Sequence, residues 1–430
     1  MDLKAINGLV LNKLTGQDAD ESVSVLTSSE KHELTFEGKE LSMLRTTFNN
    51  SLELEYYKDH KKGRVTVNQL DDSEIDSAIS QCIELCSSSK PDVTNEIAPY
   101  QQPEIFSHGA DQPNMTAMCD RIIEFSQTLK ENYPTVVLRG SALCFVKYTT
   151  FYQNSNGVDF TEVESGYEFN CTFLAKDGLK TSSFNYTGFI TQELNTPFIE
   201  QGAIKNLLKQ IIEQTTTEKF KGTFTGDVIF SPECLFSFMF GMISPLRDGS
   251  LMSGTSIYKD KLNQKIASEK LNLNFEVSGK VLSDKSFVTS DGFKAADLTV
   301  IEKGVLKSFL LSHRGALKTG LSRSANYGRG MNIGAGDIPF AEMIKKVKKG
   351  ILLCRYSGDG ANENGDFSGV AKNSYYIENG EIQYPISEII ISGNTAEMLL
   401  NIQDISAERV NFGYCVVPWV RVSGITISGK

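Results

Sequence analysis

Residues Ala361–Asn394 read ANENGDFSGVAKNSYYIENGEIQYPISEIIISGN. Gly365-Asp366-Phe367-Ser368 is expected to turn, because Asp and Ser side chains bond nearby backbone N–H groups. Asn379-Gly380 separates two strand-like runs. Both residues tolerate positive φ, so the pair predicts a two-residue type I′ hairpin. Pro385 bounds the second run, and Ser392-Gly393-Asn394 ends the next. The stretch is therefore dense β-hairpin structure. Upstream, Ile301-Glu302-Lys303-Gly304-Val305-Leu306 echoes Ile377-Glu378-Asn379-Gly380-Glu381-Ile382, although six residues are too few to establish a duplication.

Working outward, the whole segment from about Thr223 reads as β-rich. The chain before it alternates between strands and helices. Val23, Val25 and Thr27 alternate, as do Leu34 and Phe36, Leu52, Leu54 and Tyr56, and Val65 and Val67. Period two with turns between implies an antiparallel sheet with one buried face. Asp71-Asp72-Ser73 opens a helix with Ile75, Ala78, Ile79, Cys82 and Cys86 on one stripe. A second helix is expected over Met115–Glu131, with Cys119, Ile122, Ile123, Phe125 and Leu129 inward and Pro134 as its break. Reversals are expected at Asn154–Gly157 and at Asp177-Gly178. A third helix spans Ala203–Gln214 on Ile204, Leu207, Leu208 and Ile211. A fourth, Asp337–Lys349, carries Phe340, Met343, Ile344 and Val347, with Gly350 as its stop. The class is α+β: an antiparallel-sheet-and-helix N-terminal domain over residues 1–222, in segments 1–100 and 101–222, then a β-rich C-terminal domain over residues 223–430.

A length of 430 residues is ample for a sizeable core. The net charge of −10 opposes direct nucleic-acid binding. The one basic run, Lys345-Lys346-Val347-Lys348-Lys349, reads as a solvated helix face. No stretch approaches a membrane span, and the N-terminus has no leader-like apolar region. The eight scattered cysteines then read as reduced thiols and the compartment as cytoplasmic.

Candidate chemistry is sparse. The four histidines, His32, His60, His108 and His313, lie far apart, whereas a helical zinc-peptidase site needs two His one turn apart with a Glu between. Cys82 and Cys86 could share a soft metal but read better as core. Ser231 and Ser368 lie in no nucleophile-elbow pattern. Gly328–Gly336 is glycine-rich without a phosphate-loop Lys-Ser/Thr, and reads as a flexible cleft or surface loop.

Taken in order, several short motifs resemble the TldD/PmbA family, the so-called modulators of DNA gyrase. They are Gly254-Thr255-Ser256, Ile266-Ala267-Ser268, Ser290-Asp291-Gly292, Val300–Leu306, Asn332, Gly336-Asp337, Gly365–Ser368, Ile377–Gly380, Pro385 and Gly393-Asn394. The resemblance implies a metallopeptidase-like family whose catalytic TldD-type members carry a His-Glu-x-x-x-His helix before the Gly-Thr-Ser element. Here that place reads Ser231–Pro245, with Phe240, Gly241 and Pro245 where the motif would stand. The family's C-terminal cysteine ligand is not carried over to Cys415, whose offset differs. The resemblance is thus to the TldE/PmbA-type subunit. It implies a chain with no catalytic or metal-binding residues and no cofactor of its own, inactive alone and paired with a zinc-binding TldD-like subunit that acts on unfolded or extended peptides. When alone, such a chain could form homodimers. Thr255, Ser256, Arg329, Asn332, Asn364, Asp366 and Ser368 are the residues expected to line the peptide cleft. The alternatives are a stand-alone peptide-binding or scaffold protein, and a modulator of DNA topology acting through a protein partner.

Overall fold

The computed structural model describes residues 2–37 and 40–429. Its first half runs α1 (Leu3–Thr15), β1 (Glu21–Glu37), β2 (Glu40–Lys58), β3 (Lys61–Val67), α2 (Asp72–Ser88), β4 (Glu104–His108), α3 (Met115–Asn132), β5 (Val136–Asn154), β6 (Asp159–Asp177), β7 (Lys180–Thr181), β8 (Asn185–Thr191) and α4 (Ile204–Glu213). The strands form one sheet in the order β3-β2-β1-β5-β6, and β4 and β8 share the outer edge of β6. Only β4 pairs in parallel. The strand runs are longer than the sequence pattern implied, since Val23 through Phe36 belong to a single strand of 17 residues.

Two further features correct the sequence reading. The chain opens on a helix, α1, capped by Asp2 and burying Asn7, Val10 and Leu14. Because α1 covers the sheet, its proximal part is buried on both faces. Leu26 packs with Val10 and Leu14, while Val23 joins Tyr57, Phe106 and Tyr152 on the other side. The expected helices at α2, α3 and α4 are present, and Cys82 and Cys86 lie in the core. On α3, however, Ile123 is exposed while Met118 takes an inward place.

The second half contains β9 (Gly222–Phe230), α5 (Pro232–Ile243), α6 (Asp248–Met252), β10 (Leu273–Phe275), β11 (Leu298–Glu302), β12 (Val305–Leu306), α7 (His313–Thr319), β13 (Met331–Ile333), α8 (Phe340–Lys345), β14 (Lys349–Leu353), β15 (Arg355–Gly358), β16 (Asp366–Lys372), β17 (Ser374–Glu378), β18 (Glu381–Ile386), β19 (Ile389–Asn394), α9 (Thr395–Leu400), β20 (Ile402–Asn411) and β21 (Cys415–Gly429). All its strands join one sheet of 13 strands among the described residues. The long C-terminal strand β21 is central and pairs with β9, β13, β19 and β20. The α+β architecture is the one the sequence implied.

The Asn379-Gly380 hairpin forms with φ of 53° and 83°, and its echo at Lys303-Gly304 repeats the geometry at 45° and 76°. Three local expectations fail. The turn near Gly365 is made by Asn362, whose side chain accepts from the N–H groups of Asn364 and Asp366. Ser368 then lies within β16, where pairing with Ser392 of β19 fixes it as a strand residue. Gly328–Gly336 is no free loop, because Met331–Ile333 pairs with both β10 and β21. The Asp337–Lys349 helix shrinks to α8, since Lys349–Leu353 is drawn into parallel pairing with β9.

One apolar core joins the two sheets. Phe169, Phe189 and Phe198, the inward stripe of α4, and Phe230 and Leu235 of the second half belong to a single cluster. Burying each such side chain contributes about 1.5–3 kcal/mol. No helix among the described residues is long and apolar enough to cross a membrane.

Candidate functional site

A cleft of about 1050 Å³ opens where the two sheets meet. One wall is the N-terminal sheet, including Thr35–Glu37 of β1, Ser42 and Met43 of β2, and Asn185–Gly188 of β8. The other is built by α5 and the β15 and β21 regions, with Glu233, Phe236, Arg355, Tyr356 and Tyr414 facing in.

Helix α5 starts abruptly at the end of β9. Ser231 caps it, with Oγ accepting from the Cys234 N–H, and Pro232 takes its first turn. This places Glu233 at the mouth of the helix inside the cleft. Burial pushes the Glu233 carboxyl above its usual range. Phe236 follows one turn on and packs edge-to-face with Tyr414 and Phe240, at ring-centroid distances of 5.3 and 5.0 Å. The cleft wall is therefore aromatic beside one half-buried acid.

Strand β8 is fastened to the second sheet at two points. At its start, the buried guanidinium of Arg355 donates to the Phe184 carbonyl and lies 4.2 Å from the Phe184 ring centroid. Asn373 Nδ2 donates to the same carbonyl at 3.1 Å. Near its end, the Ile190 N–H donates to the Phe412 carbonyl at 2.8 Å. Gly413 permits that approach: its φ is +83°, and a Cβ there would sit 1.9 Å from the Ile190 oxygen. The backbone groups of a strand alternate in direction. Since the Ile190 N–H points away from β6, the N–H and C=O of Gly188 and the C=O of Tyr186 point the same way. Among the described residues nothing bonds these three groups. The Tyr186 N–H is turned onto Asn185 Oδ1 at 3.0 Å. Asn185 itself is buried, and its Nδ2 has no partner. Between its two fastenings, β8 thus offers a short open sheet edge to the cleft.

A second hollow, of about 630 Å³, is acidic, with Glu162, Glu164, Glu168 and Asp284 beside His108 and Arg329. Burial, then the neighbouring charge of Glu162, pushes Glu164 up to about 9. Glu162 accepts from the backbone N–H groups of Phe287 and Val288, so it ties the first sheet to the second half.

None of the seven residues expected to line the cleft lies in it. Arg329 lines the acidic hollow. Asn332 sits in β13, accepting from Arg409 and donating to Glu276, each at 2.7 Å. Thr255 is exposed beside Ser253, whereas Ser256 is buried and donates to the Pro245 carbonyl at 2.5 Å. Asn364 and Asp366 are brought together, since Asn394 Nδ2 reaches the carbonyl of the first and the carboxylate of the second, both at 2.9 Å. Ser368 is exposed in β16. Sequence reasoning did not single out Glu233, Arg355, Gly188 or Phe412. Ser231-Pro232-Glu233 is a helix-start signature that pointed to the first. An arginine directly after the apolar run Ile351–Cys354 was the other usable signal.

Among the described residues no three His, Cys, Asp or Glu side chains are disposed to hold a metal ion. At the α5 positions where the resemblance puts a histidine pair and a glutamate, Phe240 and Gly241 offer no donor, and Pro245 follows the helix end. Burial raises the Cys415 thiol well above its usual range. These residues do not fit a zinc ion.

Residues 221–429 match the family model described as the PmbA/TldA metallopeptidase C-terminal domain. The chain is 21% identical over 408 residues to the metalloprotease PmbA homolog of Haemophilus influenzae, covering 90% of this chain and 88% of that one. It is 25% identical over 265 residues to metalloprotease PmbA of Escherichia coli O157:H7, covering 59% and 58%. It is 29% identical over 227 residues to a zinc metalloprotease TldD homolog of Saccharolobus solfataricus, covering 49% and 51%. The fold is that of TldE from Thermococcus kodakarensis, with a TM-score of 0.83 at 18% identity over 99% of this chain and all of that one. A Bacteroides thetaiotaomicron protein described as a modulator of DNA gyrase has the same fold, with a TM-score of 0.87 at 20% identity over 99% of each chain.

Proposed function

We propose that this chain, which belongs to the PmbA/TldD family, is the non-metal-binding subunit of a TldD/TldE-type metallopeptidase. Its relatives are named metalloproteases, which supports a protease-related role. The observation that carries the finer reading is the β8 edge: free main-chain groups at Tyr186 and Gly188, held between two fastenings inside an aromatic-walled cleft. An extended peptide adds to such an edge through its backbone, which gives affinity with little dependence on sequence. A folded protein has already used its own backbone groups, so the edge selects unfolded chain. Phe240, at a motif position, packs on Phe236 of this same cleft. The metal would then come from a TldD-like partner seated on that side.

The test has two arms. The isolated chain should bind an unstructured peptide by fluorescence anisotropy, and N-methylation of the peptide backbone should abolish binding. Co-expressed with a TldD-like chain from the same genome, it should yield a stable complex with chelator-sensitive peptidase activity. Chelator-sensitive cleavage by the rigorously purified isolated chain would refute the assignment.

A further inference from the structure

Arg355 is the only cation among the described residues that line the cleft. It is 9% exposed, yet no carboxylate among the described residues is paired with it. Glu388 is the one acid whose charge reaches it, and Lys372 already holds that carboxylate at 2.9 Å. A buried cation without a counter-ion is costly. The guanidinium gives one N–H to the Phe184 carbonyl and one to Ser183 Oγ. Its remaining N–H groups have no acceptor among the described residues. Asn185, the next residue after Phe184, is in a similar position. It is 3% exposed and lines the same cleft. Its Oδ1 is engaged by the Tyr186 N–H, which fixes the amide, and its Nδ2 donates to nothing among the described residues. A buried donor left unmet costs stability until an acceptor arrives. Two cleft-lining donors on either side of Phe184 thus lack an acceptor, and one of them lacks a negative charge.

The β8 edge fixes where that acceptor sits on a bound chain. Tyr186 and Gly188 offer free main-chain groups, but the next outward carbonyl toward the start of β8, that of Phe184, is already taken by Arg355 and Asn373. A strand added to the edge therefore runs out of backbone partners at Phe184 and meets the guanidinium instead. We propose that Arg355 and Asn185 bind the α-carboxylate of a peptide's last residue, so that the peptide lies antiparallel to β8 and ends at Arg355. This rests on the reading of β8 as a peptide edge and adds to it an end and a direction. A carboxylate matches the planar guanidinium and supplies the absent charge. In an antiparallel pair the C-terminal end of the added strand lies beside the start of β8, where both donors are. The two acids of the cleft do not compete for the place: Glu37 is exposed at the end of β1, and burial pushes Glu233 toward its protonated form. Every chain ends in an α-carboxylate whatever its sequence. The pocket would then add affinity without sequence preference, and it would favour a free chain end over an internal loop.

The test compares one unstructured peptide, labelled at its N-terminus, as the free acid and as the C-terminal amide, by fluorescence anisotropy on the isolated chain. The free acid should bind about tenfold more tightly, the worth of a hydrogen-bonded charge. Asn185→Asp keeps the acceptor for the Tyr186 N–H and sets a carboxylate of the chain's own beside Arg355, so in that variant acid and amide should bind alike. Equal binding of the two forms by the wild type would overturn this inference while leaving the peptide edge intact. Binding of neither form would remove the edge, and the inference with it. An amidated peptide ending in glutamate that matches the free acid would assign the pocket to acidic side chains and overturn the α-carboxylate, as would a preference that survives Asn185→Asp.

Discussion

Replacing Gly380 by valine tests whether the Asn379-Gly380 hairpin is held as a fixed part of the second sheet. Gly380 has a φ of +83°, and a Cβ there would lie 2.8 Å from the Lys345 carbonyl oxygen and 3.1 Å from its Cα. The turn cannot slide away, since the N–H groups of Asn379 and Gly380 donate to Lys348 and Val347 at 2.9 and 2.8 Å. Left-handed backbone costs a branched residue about 1–3 kcal/mol. Displacing the end of α8 adds about 1–3 kcal/mol more, the usual range for overpacking. The sum is ~2–6 kcal/mol. Gly320 is the control, with a φ of +70° and open space for 4 Å around the place a Cβ would take, so Gly320→Val should show the backbone cost alone. The single tryptophan reports both variants. Trp419 packs on Phe340 at 5.0 Å between ring centroids, in the cluster with Met343 and Val347 beneath the turn. Urea unfolding followed by its fluorescence should place Gly380→Val below Gly320→Val in stability. Equal losses would mean the contact with Lys345 carries no energy, and no loss in either would refute the turn assignment.

Arg355→Lys keeps the charge but loses the fork that serves both Phe184 and Ser183; peptide affinity by anisotropy should fall about tenfold, ~1.4 kcal/mol, and unchanged affinity would remove Arg355 from the site. Glu164 is protonated in the fold up to about pH 9 but ionises in the unfolded chain near the ordinary value of 4.5. The unfolded state therefore binds fewer protons across that window, and stability falls as pH rises through it. Glu164→Gln should raise the melting temperature at pH 8 and leave it unchanged near pH 4, and equal effects at both would contradict the linkage. Elemental analysis should find far less than one zinc per chain. Placing His at 240 and 245 with Glu at 241 should create no peptidase, because the supporting ligands and their hydrogen-bond partners are still missing. Chelator-sensitive activity in that variant would refute the reasoning.

Elements whose signal is local were legible in the sequence. The Asn379-Gly380 hairpin follows from two residues that accept positive φ, and α4 from four apolar side chains at helical spacing. Helix α1 was not legible because its buried stripe includes Asn7. That side chain is satisfied only in the fold, donating to the carbonyls of Ser24 and Phe151 at 3.1 Å and accepting from Ser24 Oγ. The end of α8 was hidden for a similar reason: Lys349–Leu353 leaves helical periodicity to pair with β9, more than a hundred residues earlier. The cleft depends on such long-range placement throughout. Arg355 meets Phe184, and Phe412 meets Ile190, and no window of sequence contains either pair. Small polar residues at reversals drew the expected site toward Asn364–Ser368, where their bonds serve the turn itself.

The position of β21 has a consequence for how the molecule is made. Strand β21 comes after every other strand of this sheet in chain order, yet β9, β13, β19 and β20 all depend on it. Its partner β9 begins at Gly222, so that edge waits while the ribosome adds the residues up to β21 at about 5–20 per second. The N-terminal sheet, complete by Thr191, can form during translation, but the second sheet cannot close until β21 has been made. A nascent chain stalled before β21 would expose the apolar edge of β9, and truncation ahead of Cys415 would remove the middle of the sheet.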